Sequence, residues 1–541
     1  MRPLDTAYIN GKVYTVDDNF SVATAFGVSE DRFAVVGTDE EVLARCTPDT
    51  KVVDLKGQVV IPGLTDAHLH LVETGVVQRR LKMAGKSRQE CIDMVAEAAK
   101  KAEPGEWILG RNWINDEWKD DSSFPTKEEL DAVAPNNPVY LVRGCGHMAW
   151  LNTKAFEVVG IPADIENPQG GEYLRKPDGS FWGVVTDNAQ EPFNKAMPKE
   201  TPEVVRQATL DAQKAFFEAG LVGVHDAGSG THVVDVWDQM YDDGSLKLRI
   251  NASLRVPGRP AFDELYEYTM NLVKLGVRHD CHNNRLNVRG YKISGDGSLG
   301  ARSAWMIDDY DDLPGHKGNG KWTDEELYAT LYPIHKAGFQ IWYHGIGDAA
   351  NRQALDCFKR LQEEFPRPDA RHRIEHAQIL KPEDVERFAK EGVIPTHQTV
   401  FLRTDKRCCE DRIGKERTKT AYAWHTLISQ GNPVPNGTDS PVESFNPFLG
   451  MYCAVTRKDE DGFPEGGWYP DEAMTREEAL KSYTVWPAYT EFMEGVKGSI
   501  ANGQLADFVI IDRDYMTCPD YEIKDIKPVA TYVAGECVYE A

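Results

Sequence analysis

The stretch Val59-Val-Ile-Pro-Gly-Leu-Thr-Asp-Ala-His68-Leu-His70 joins an apolar, β-branched run to two histidines. Such a run predicts a buried parallel strand, which we place at residues 58–67. Because side chains alternate between the two faces of a strand, His68 and His70 point the same way. Two imidazoles held on one face are half of a metal site. They can equally be ordinary polar residues at the end of a strand, so the rest of the chain must decide.

Seven further apolar runs predict strands, and helical patterns with capping signals separate them. This alternation favours parallel strands joined by helical crossovers. The predicted strands are 58–67, 221–227, 248–255, 288–295, 339–345, 371–377, 393–397 and 433–438. Eight strands in this order fit an α/β fold of the closed (β/α)8 TIM barrel type. A ninth run at 138–144 is assigned to a large insertion, about 72–200, after barrel strand 1.

The two ends of the sequence both resemble short β-strands. Asn10-Gly11 lies between two β-rich runs, a pattern typical of a tight hairpin. Residues 1–57 are too few to bury a good core alone. Runs at 506–512 and 530–539 have the same composition. We therefore expect 1–57 and 497–541 to form one small β-sandwich domain, with the barrel domain at 58–496.

Composition and charge exclude several classes of protein. The chain has 541 residues, of which 41% are hydrophobic, and a formal net charge of −25. This charge argues against nucleic acid or an anionic membrane as a partner. The ten cysteines include no CxxC pair, which indicates reduced thiols in a cytoplasmic protein. No signal peptide and no apolar run of about 18 residues is visible. The oligomeric state stays open and is compatible with a homodimer.

Ligand-type side chains lie at or just past the carboxyl ends of five predicted strands. They are His68, His70, Lys292, His344, His376 and Asp439. In a barrel these strand ends form one mouth, where catalytic groups lie. Each residue alone has a plainer interpretation: a satisfied polar histidine, a turn-forming aspartate, or a lysine paired with Asp296. A lysine carboxylated by CO₂, however, becomes an anionic oxygen ligand that can bridge two cations. Together the six residues predict a metal centre.

The sequence resembles the amidohydrolase superfamily, and within it the branch of N-substituted formamide deformylase-like proteins. The similarity runs through nearly the whole chain. It rests on Pro62–His70, Trp107–Trp113, His147–Asn152, Gly223–Gly228, Lys292 with Asp296–Gly300, His344–Asp348, Arg373–Gln378, Gly437–Pro441, Lys497–Ile500 and Leu505–Val509.

The resemblance implies a barrel with a β-sandwich built from both termini and a divalent metal, zinc or a similar ion, in one or two copies. The implied ligand sets are His68, His70 and Asp439 for the first ion, His344 and His376 for the second, and carboxylated Lys292 as a candidate bridge. The metal would activate a water to hydroxide. Asp439 would be the catalytic residue that takes the proton of this nucleophile and passes it to the leaving amine.

Four further residues are candidates for substrate binding. Trp113, in the aromatic-rich insertion, either fills a core or lines an apolar pocket over the barrel mouth. His147 is a candidate hydrogen-bond donor to the substrate, and Asp296 follows the strand of Lys292. His397 stands near a point where the family pattern has Gln-Pro. It is either a substrate or oxyanion contact or a polar loop residue.

The predicted function is therefore metal-dependent hydrolysis of a non-peptide C–N bond. The substrate would be a small-molecule amide, such as an N-substituted formamide or a cyclic amide. Two alternatives remain open. One uses the same metal site for isomerisation or lyase chemistry, and the other keeps the barrel as a non-catalytic scaffold.

Overall fold

The computed structural model describes residues 3–119, 122–143, 148–168, 171–197, 201–255 and 262–541. The chain divides into two compact units, Met1–Thr74 with Ala212–Ala541, and Gly75–Asp211. The strands are β1 Thr6–Ile9, β2 Lys12–Tyr14, β3 Val22–Ala23, β4 Ala25–Ser29, β5 Arg32–Gly37, β6 Lys51–Asp54, β7 Val59–Pro62, β8 Leu64–Leu69, β9 Leu81–Lys82, β10 Ile108–Trp113, β11 Val139–Arg143, β12 Met148–Leu151, β13 Gly171–Arg175, β14 Phe181–Asp187, β15 Leu221–Ser229, β16 Arg249–Arg255, β17 Arg278–Asp280, β18 Leu286–Ser294, β19 Gln340–Gly345, β20 Arg373–His376, β21 Ile394–Thr396, β22 Phe508–Ile511, β23 Pro528–Val533 and β24 Glu536–Glu540.

Helices alternate with the strands through most of the chain. The α-helices are α1 Asp39–Leu43, α2 Leu71–Gln78, α3 Arg88–Ala99, α4 Lys127–Asp131, α5 Thr153–Val159, α6 Glu191–Ala196, α7 Pro202–Glu218, α8 Thr231–Asp242, α9 Phe262–Leu275, α10 Cys281–Asn284, α11 Asp324–Lys336, α12 Asp348–Glu364, α13 Pro382–Glu391, α14 Leu402–Asp405, α15 Cys409–Thr418, α16 Trp424–Ser429, α17 Pro447–Thr456, α18 Arg476–Ser482 and α19 Val485–Thr490. Short 3-10 helices span Asn115–Glu117, Asn188–Gln190, Thr399–Phe401, Pro470–Glu472 and Asp520–Asp525. Within the described ranges, none of the helices has the length and apolar character needed to cross a membrane.

Seven parallel strands form the barrel wall in the order β8, β15, β16, β18, β19, β20 and β21. All residues of β8 and β15 are buried, as expected for strands covered on both faces. The predicted α/β barrel is thereby confirmed, and the predicted positions of β15, β16, β18, β19, β20 and β21 agree with the structure to within two residues.

The eighth predicted strand, 433–438, is wrong as a regular strand. The segment makes a single parallel bridge, between Asn436 and His397. It still closes the barrel, because the Ala67 N–H donates to Asn436 O over 2.9 Å and the Thr438 N–H donates to His68 O over 3.2 Å. Prolines at 433 and 435 lack an N–H group, which prevents a continuous ladder on both sides.

The predicted strand 58–67 is two strands that belong to different sheets. β7 joins a sheet of terminal strands and β8 joins the barrel, with Gly63 between them. The Gly63 N–H donates to Asp507 O over 2.9 Å. A Cβ at position 63 would lie 2.5 Å from a methyl carbon of Val222 and 3.0 Å from Asp507 Cβ. Only glycine fits at this point, where the chain passes from one sheet to the other. The apolar sequence continues through it, but β7 and β8 pair with different strands.

Strands from both ends of the chain meet in one six-stranded sheet, ordered β24-β23-β22-β7-β2-β3. A second sheet, ordered β5-β4-β1-β6, packs against it through a shared core of Tyr8, Phe26, Phe33 and Phe508. The ring centroids of Tyr8 and Phe26 lie 4.7 Å apart, and those of Phe26 and Phe508 lie 4.9 Å apart. Aromatic packing therefore joins residues from the two ends of the sequence.

The hairpin predicted at Asn10-Gly11 is wrong, although the strands flanking it are present. β1 pairs with β4 and β6, whereas β2 pairs with β3 and β7 in the other sheet. Asn10 has the positive φ of a tight turn, but its backbone N–H donates to Asp39 and its side chain donates to Asp54. The turn thus leads the chain from one sheet to the other.

The unit Gly75–Asp211 has its own sheet, ordered β13-β14-β12-β11-β10-β9. The predicted ninth run, 138–144, is β11 of this sheet and not a barrel strand. Its largest side chains form an aromatic core, in which the rings of Trp113 and Trp118 stack with centroids 5.8 Å apart. Trp150 packs edge-on against both.

Removal of residues 505–541 is expected to give insoluble protein. It deletes β22, which pairs with β7, and it removes Asp507, the bidentate partner of buried Arg249. An open strand edge and an unpaired buried guanidinium both destabilise the fold. The measurement is the soluble fraction after expression. Removal of 537–541 alone, which shortens only the outer strand β24, is the control and should leave the protein soluble.

Candidate metal centre

The six predicted ligands line a single cavity of about 490 Å³ at the carboxyl ends of the barrel strands. The lining residues are His68, His70, Ala227, Arg255, Lys292, Ile293, Ser294, Lys321, Trp322, His344, His376 and Asp439. The ring centroids of His68 and His376 lie 5.1 Å apart, and those of His344 and His376 lie 4.5 Å apart. Residues from four strands and the closing segment therefore converge as the barrel topology requires.

Three of these side chains have the geometry of a metal site. One ligand atom from each of His68, His70 and Asp439 lies within 4.8 Å of the other two. Asp439 Oδ1 lies 3.1 Å from His70 Nε2 and 3.4 Å from His68 Nε2. His68 Nε2 and Asp439 Oδ1 are buried, and no described residue makes a hydrogen bond to them. Buried polar atoms without partners are rare, and a cation between them would satisfy both. The residues present therefore fit a divalent metal ion.

Two histidines are oriented by a hydrogen bond at Nδ1. The other ring nitrogen, Nε2, is then available to face the cavity. His68 Nδ1–H donates to Glu375 Oε2, and His376 Nδ1–H donates to Gln398 Oε1 over 2.6 Å. Arg373 in turn donates two hydrogen bonds to the Glu375 carboxylate. Partners of this kind fix the tautomer and ring orientation of metal-binding histidines.

His344 is held from the opposite side of its ring. Its Nε2 lies 3.2 Å from Gly297 O and 3.3 Å from Asp296 Oδ1. The Asp296 carboxylate also accepts the backbone N–H groups of Trp305, Ile346 and Gly347. Asp296 thus connects the loops after β18 and β19. These hydrogen bonds suit a residue that positions the loop following His344.

Two site residues have unusual backbone conformations. His376 has φ of 75° and Asp439 has φ of 54°, both in the left-handed region. For a histidine this conformation costs about 1–3 kcal/mol, and such strain concentrates at functional sites. The Asp439 N–H donates to His68 O over 2.7 Å, which brings these two ligand candidates together.

Charges in the site are set by burial and by close pairs. Burial alone would raise the pKa of Asp439, but the close imidazoles of His68 and His70 hold that pKa well below its usual range. Burial lowers the pKa of Lys292 to about 8, against the opposing charges of Glu375 and Asp439. Burial, together with the neighbouring His344, keeps the pKa of His376 well below normal, so this imidazole is neutral and able to bind a cation.

The other sequence predictions have mixed outcomes. Trp113 is fully buried in the core of its own unit and donates to Leu141 O over 2.8 Å, which is the environment of a core residue. His397 is buried on the barrel closure, and its Nε2 has no partner within the described ranges. Burial lowers its pKa to about 3. His147 lies outside the described residues.

Several residues that hydrogen-bond the site were not expected from the sequence. Glu375 and Gln398 hydrogen-bond the ligand candidates His68 and His376. In the sequence, each is visible only as a polar residue beside a histidine at a strand end. Asp66 accepts hydrogen bonds from the backbone and hydroxyl of Thr438 and so fixes the closing segment that carries Asp439. Burial raises the pKa of Asp66 to about 7. Alternation along β8 could have shown that Asp66 shares a face with His68.

Glu375→Gln is expected to weaken metal binding by about 10- to 100-fold, the usual effect of losing such a partner. The glutamine amide lacks the negative charge of the Glu375 carboxylate, which hydrogen-bonds both Arg373 and His68. Competition with a chromogenic chelator measures the affinity directly. Glu363→Gln, an exposed change on α12, is the matched control. Unchanged metal affinity in Glu375→Gln would contradict the orienting role.

A parallel barrel that gathers imidazoles and a carboxylate at the carboxyl ends of its strands defines a class of metal-dependent enzymes. The family model described as "Amidohydrolase family" matches residues 51–539. The chain therefore belongs to the amidohydrolase family, which confirms the resemblance seen in the sequence. It is a hydrolase that acts on carbon–nitrogen bonds, in a family of metal-dependent enzymes.

Similar proteins occur in plants, bacteria and archaea. Protein LONG AFTER FAR-RED 3 of Arabidopsis thaliana is 31% identical, over 99% of this chain and 91% of its own. The putative amidohydrolase YtcJ of Bacillus subtilis is 29% identical, over 98% of each chain. The N-substituted formamide deformylase of Arthrobacter pascens is 27% identical, over 99% and 98%. The solved structure of an uncharacterized metal-dependent hydrolase from Pyrococcus furiosus is 28% identical and superposes with a TM-score of 0.78, covering 95% of this chain and 100% of that one.

Proposed function

We propose that the protein hydrolyses the C–N bond of small amides, with N-substituted formamides as the first class to test. The observation that carries the proposal is that His68, His70, Lys292, His344, His376 and Asp439 line one cavity. The relative that is named as an N-substituted formamide deformylase supports this substrate class, because the similarity spans 99% of the chain.

The histidine-rich ligand set favours Zn²⁺, since imidazole nitrogen with carboxylate oxygen is a common zinc environment. His68, His70 and Asp439 would hold one ion. His344 and His376 would hold a second, with carboxylated Lys292 between the two. When bound, a divalent ion supplies Lewis acidity and lowers the pKa of water.

The residues of the chain itself would handle the proton. The pKa of the Asp439 carboxylate lies well below normal, so this group is charged. Its position in the cavity would let it take the proton of the attacking water. The water oxygen adds to the amide carbonyl carbon, and the C–N bond breaks. Asp439 then returns the proton to the leaving nitrogen, so that water and amide become an acid and an amine.

The test is a screen of zinc-loaded protein against N-substituted formamides, aryl amides and cyclic imides. The reaction is run in ¹⁸O-labelled water, and the products are analysed by mass spectrometry. Hydrolysis places one solvent oxygen in the acid product. Conversion without solvent oxygen would favour the isomerase or lyase alternative, and zinc-loaded protein without any turnover would contradict the proposed function.

A further inference from the structure

We infer that the cavity contains an anion-binding subsite formed by Arg255 and Lys321, and that the amide substrate carries a carboxylate. This inference rests on the proposed amide hydrolysis and narrows its substrate class. Arg255 and Lys321 line the same cavity as the metal-ligand candidates. Apart from the ligand candidate Asp439, the cavity wall contains no carboxylate from the described part of the chain.

Arg255 is placed by strand register beside the metal centre. It is the last residue of β16, and its Cα pairs with that of Lys292 on β18. Its aliphatic stem passes over Gly228, where a Cβ would lie 3.1 Å from Arg255 Cβ and 3.3 Å from Arg255 Cγ. Among the residues that the structure describes, no side chain makes an ion pair or hydrogen bond with the Arg255 guanidinium. Five N–H donors in a planar fork suit a carboxylate.

Lys321 is held at the cavity by bonds to the neighbouring barrel strand. Its backbone N–H donates to Gly295 O over 2.9 Å, and its Nζ donates to Ser294 Oγ over 2.7 Å. The indole N–H of Trp322 donates to Ser294 O over 2.8 Å. Ser294 is the Cα partner of His344, so this short segment is anchored next to a ligand strand. The ammonium is thus part of a fixed wall, beside an aromatic ring that also lines the cavity.

The local charge is opposite to that of the whole protein. The chain has a formal net charge of −25, whereas this concave wall presents Arg255 and Lys321 in addition to Lys292, against the single carboxylate that the described residues contribute, Asp439. A cavity with an excess of one sign of charge concentrates the electric field and attracts a ligand of the opposite sign. A neutral formamide would leave the Arg255 donors without an acceptor other than water. A carboxylate on the substrate would accept hydrogen bonds from these donors.

A different role for Arg255 must be separated from substrate binding. The Arg255 charge acts on Lys292, as one of the causes that lower the lysine pKa. The arginine could therefore support a carboxylated Lys292 and, through it, the metals. That role would change metal binding and the turnover of every amide to the same extent. The subsite instead predicts a change that depends on the charge of the substrate.

The test compares two formamides that differ by one carboxylate, N-benzylformamide and 4-(formamidomethyl)benzoate. The zinc-loaded enzyme should have the lower KM for the benzoate. Arg255→Gln should raise the KM ratio of benzoate to neutral formamide by about 10- to 100-fold, the loss expected for one charge-assisted bond. Lys321→Gln should also raise this KM ratio. Arg255→Lys, which keeps a positive charge, should raise it less than Arg255→Gln does. Added salt should raise the KM of the benzoate more than that of the neutral formamide, because it screens the charge interaction.

Controls distinguish the inference from the function on which it rests. Lys359→Gln removes one charge from the exposed face of α12 and should leave the ratio unchanged. Zinc content of each variant is measured in parallel. Equal KM values for the two substrates, or a ratio unaffected by Arg255→Gln, would overturn the subsite while amide hydrolysis stands. A parallel loss of zinc and of both activities would assign Arg255 to the metal centre instead. Absence of turnover with both formamides would contradict the proposed function, and calorimetric titration with benzoate would then still test the subsite.

Discussion

His68→Ala is expected to lower kcat/KM by at least about a thousandfold and to release metal from the protein. His68 Nε2 is one of two buried ligand atoms that have no hydrogen-bond partner among the described residues. Alanine removes this ligand and also leaves the buried Glu375 carboxylate without one of its partners. Metal content by plasma mass spectrometry and turnover of the best amide should fall together.

A second variant separates loss of the metal from loss of the fold. His70→Ala removes a ligand whose side chain is 25% exposed and which pairs with Asp439, so it disturbs the core less. His425→Ala on the exposed face of α16 is the matched control and should keep both metal and activity. Thermal unfolding of each variant reports on the fold. A folded His70→Ala protein with full metal content would contradict the proposed ligand set.

Lys292→Ala is expected to lose most activity, and a small carboxylate such as acetate or propionate should restore part of it. Burial lowers the pKa of Lys292 to about 8, so a substantial fraction of neutral amine is available to react with CO₂ near that pH. The carboxylates whose charges act on this lysine are Glu375 and Asp439, whereas the Asp296 carboxylate accepts three backbone N–H groups. Pairing with Asp296 is thus disfavoured as an explanation for the buried lysine.

The rescue experiment distinguishes a bridging carbamate on Lys292 from a role that needs only the positive charge of this lysine. Lys292→Arg keeps a positive charge but cannot form the carbamate, and it should be as inactive as Lys292→Ala without being rescued. Wild-type protein loaded under ¹³C-labelled CO₂ should give a carbamate carbon resonance that disappears in either variant. A free amine beside a fully occupied metal site, seen in electron density, would rule the carbamate out. The first ion, at His68, His70 and Asp439, would then be the whole centre.

The barrel and the ligand candidates could be predicted because they depend on local signals. A β-branched apolar run followed by a histidine or an aspartate identifies both a parallel strand and its carboxyl end, as at His344 and His376. The topology of a barrel then brings these ends together without knowledge of any side-chain contact. The closing segment 433–438 was found for the same reason, although its prolines prevent a regular strand.

Features that depend on contacts between distant segments could not be predicted. The turn at Asn10-Gly11 has a local hairpin signal, but its partners Asp39 and Asp54 come from other parts of the chain. Lys321 precedes a helix whose cap is evident in the sequence, yet nothing local shows that it reaches Ser294. Likewise Gln398, and not its neighbour His397, contacts a ligand candidate, because the chain turns at the end of β21.

The pairing of β7 with β22 has a consequence for how the protein is made. On the ribosome, β7 and the adjoining strand with His68 and His70 emerge early, whereas β22 follows the entire barrel. Until it appears, one edge of β7 is open and Arg249 lacks Asp507. Native contacts of such wide sequence separation form late and slowly. We expect the nascent chain to remain incomplete, and open to chaperones, until release, and metal insertion to be a post-translational event.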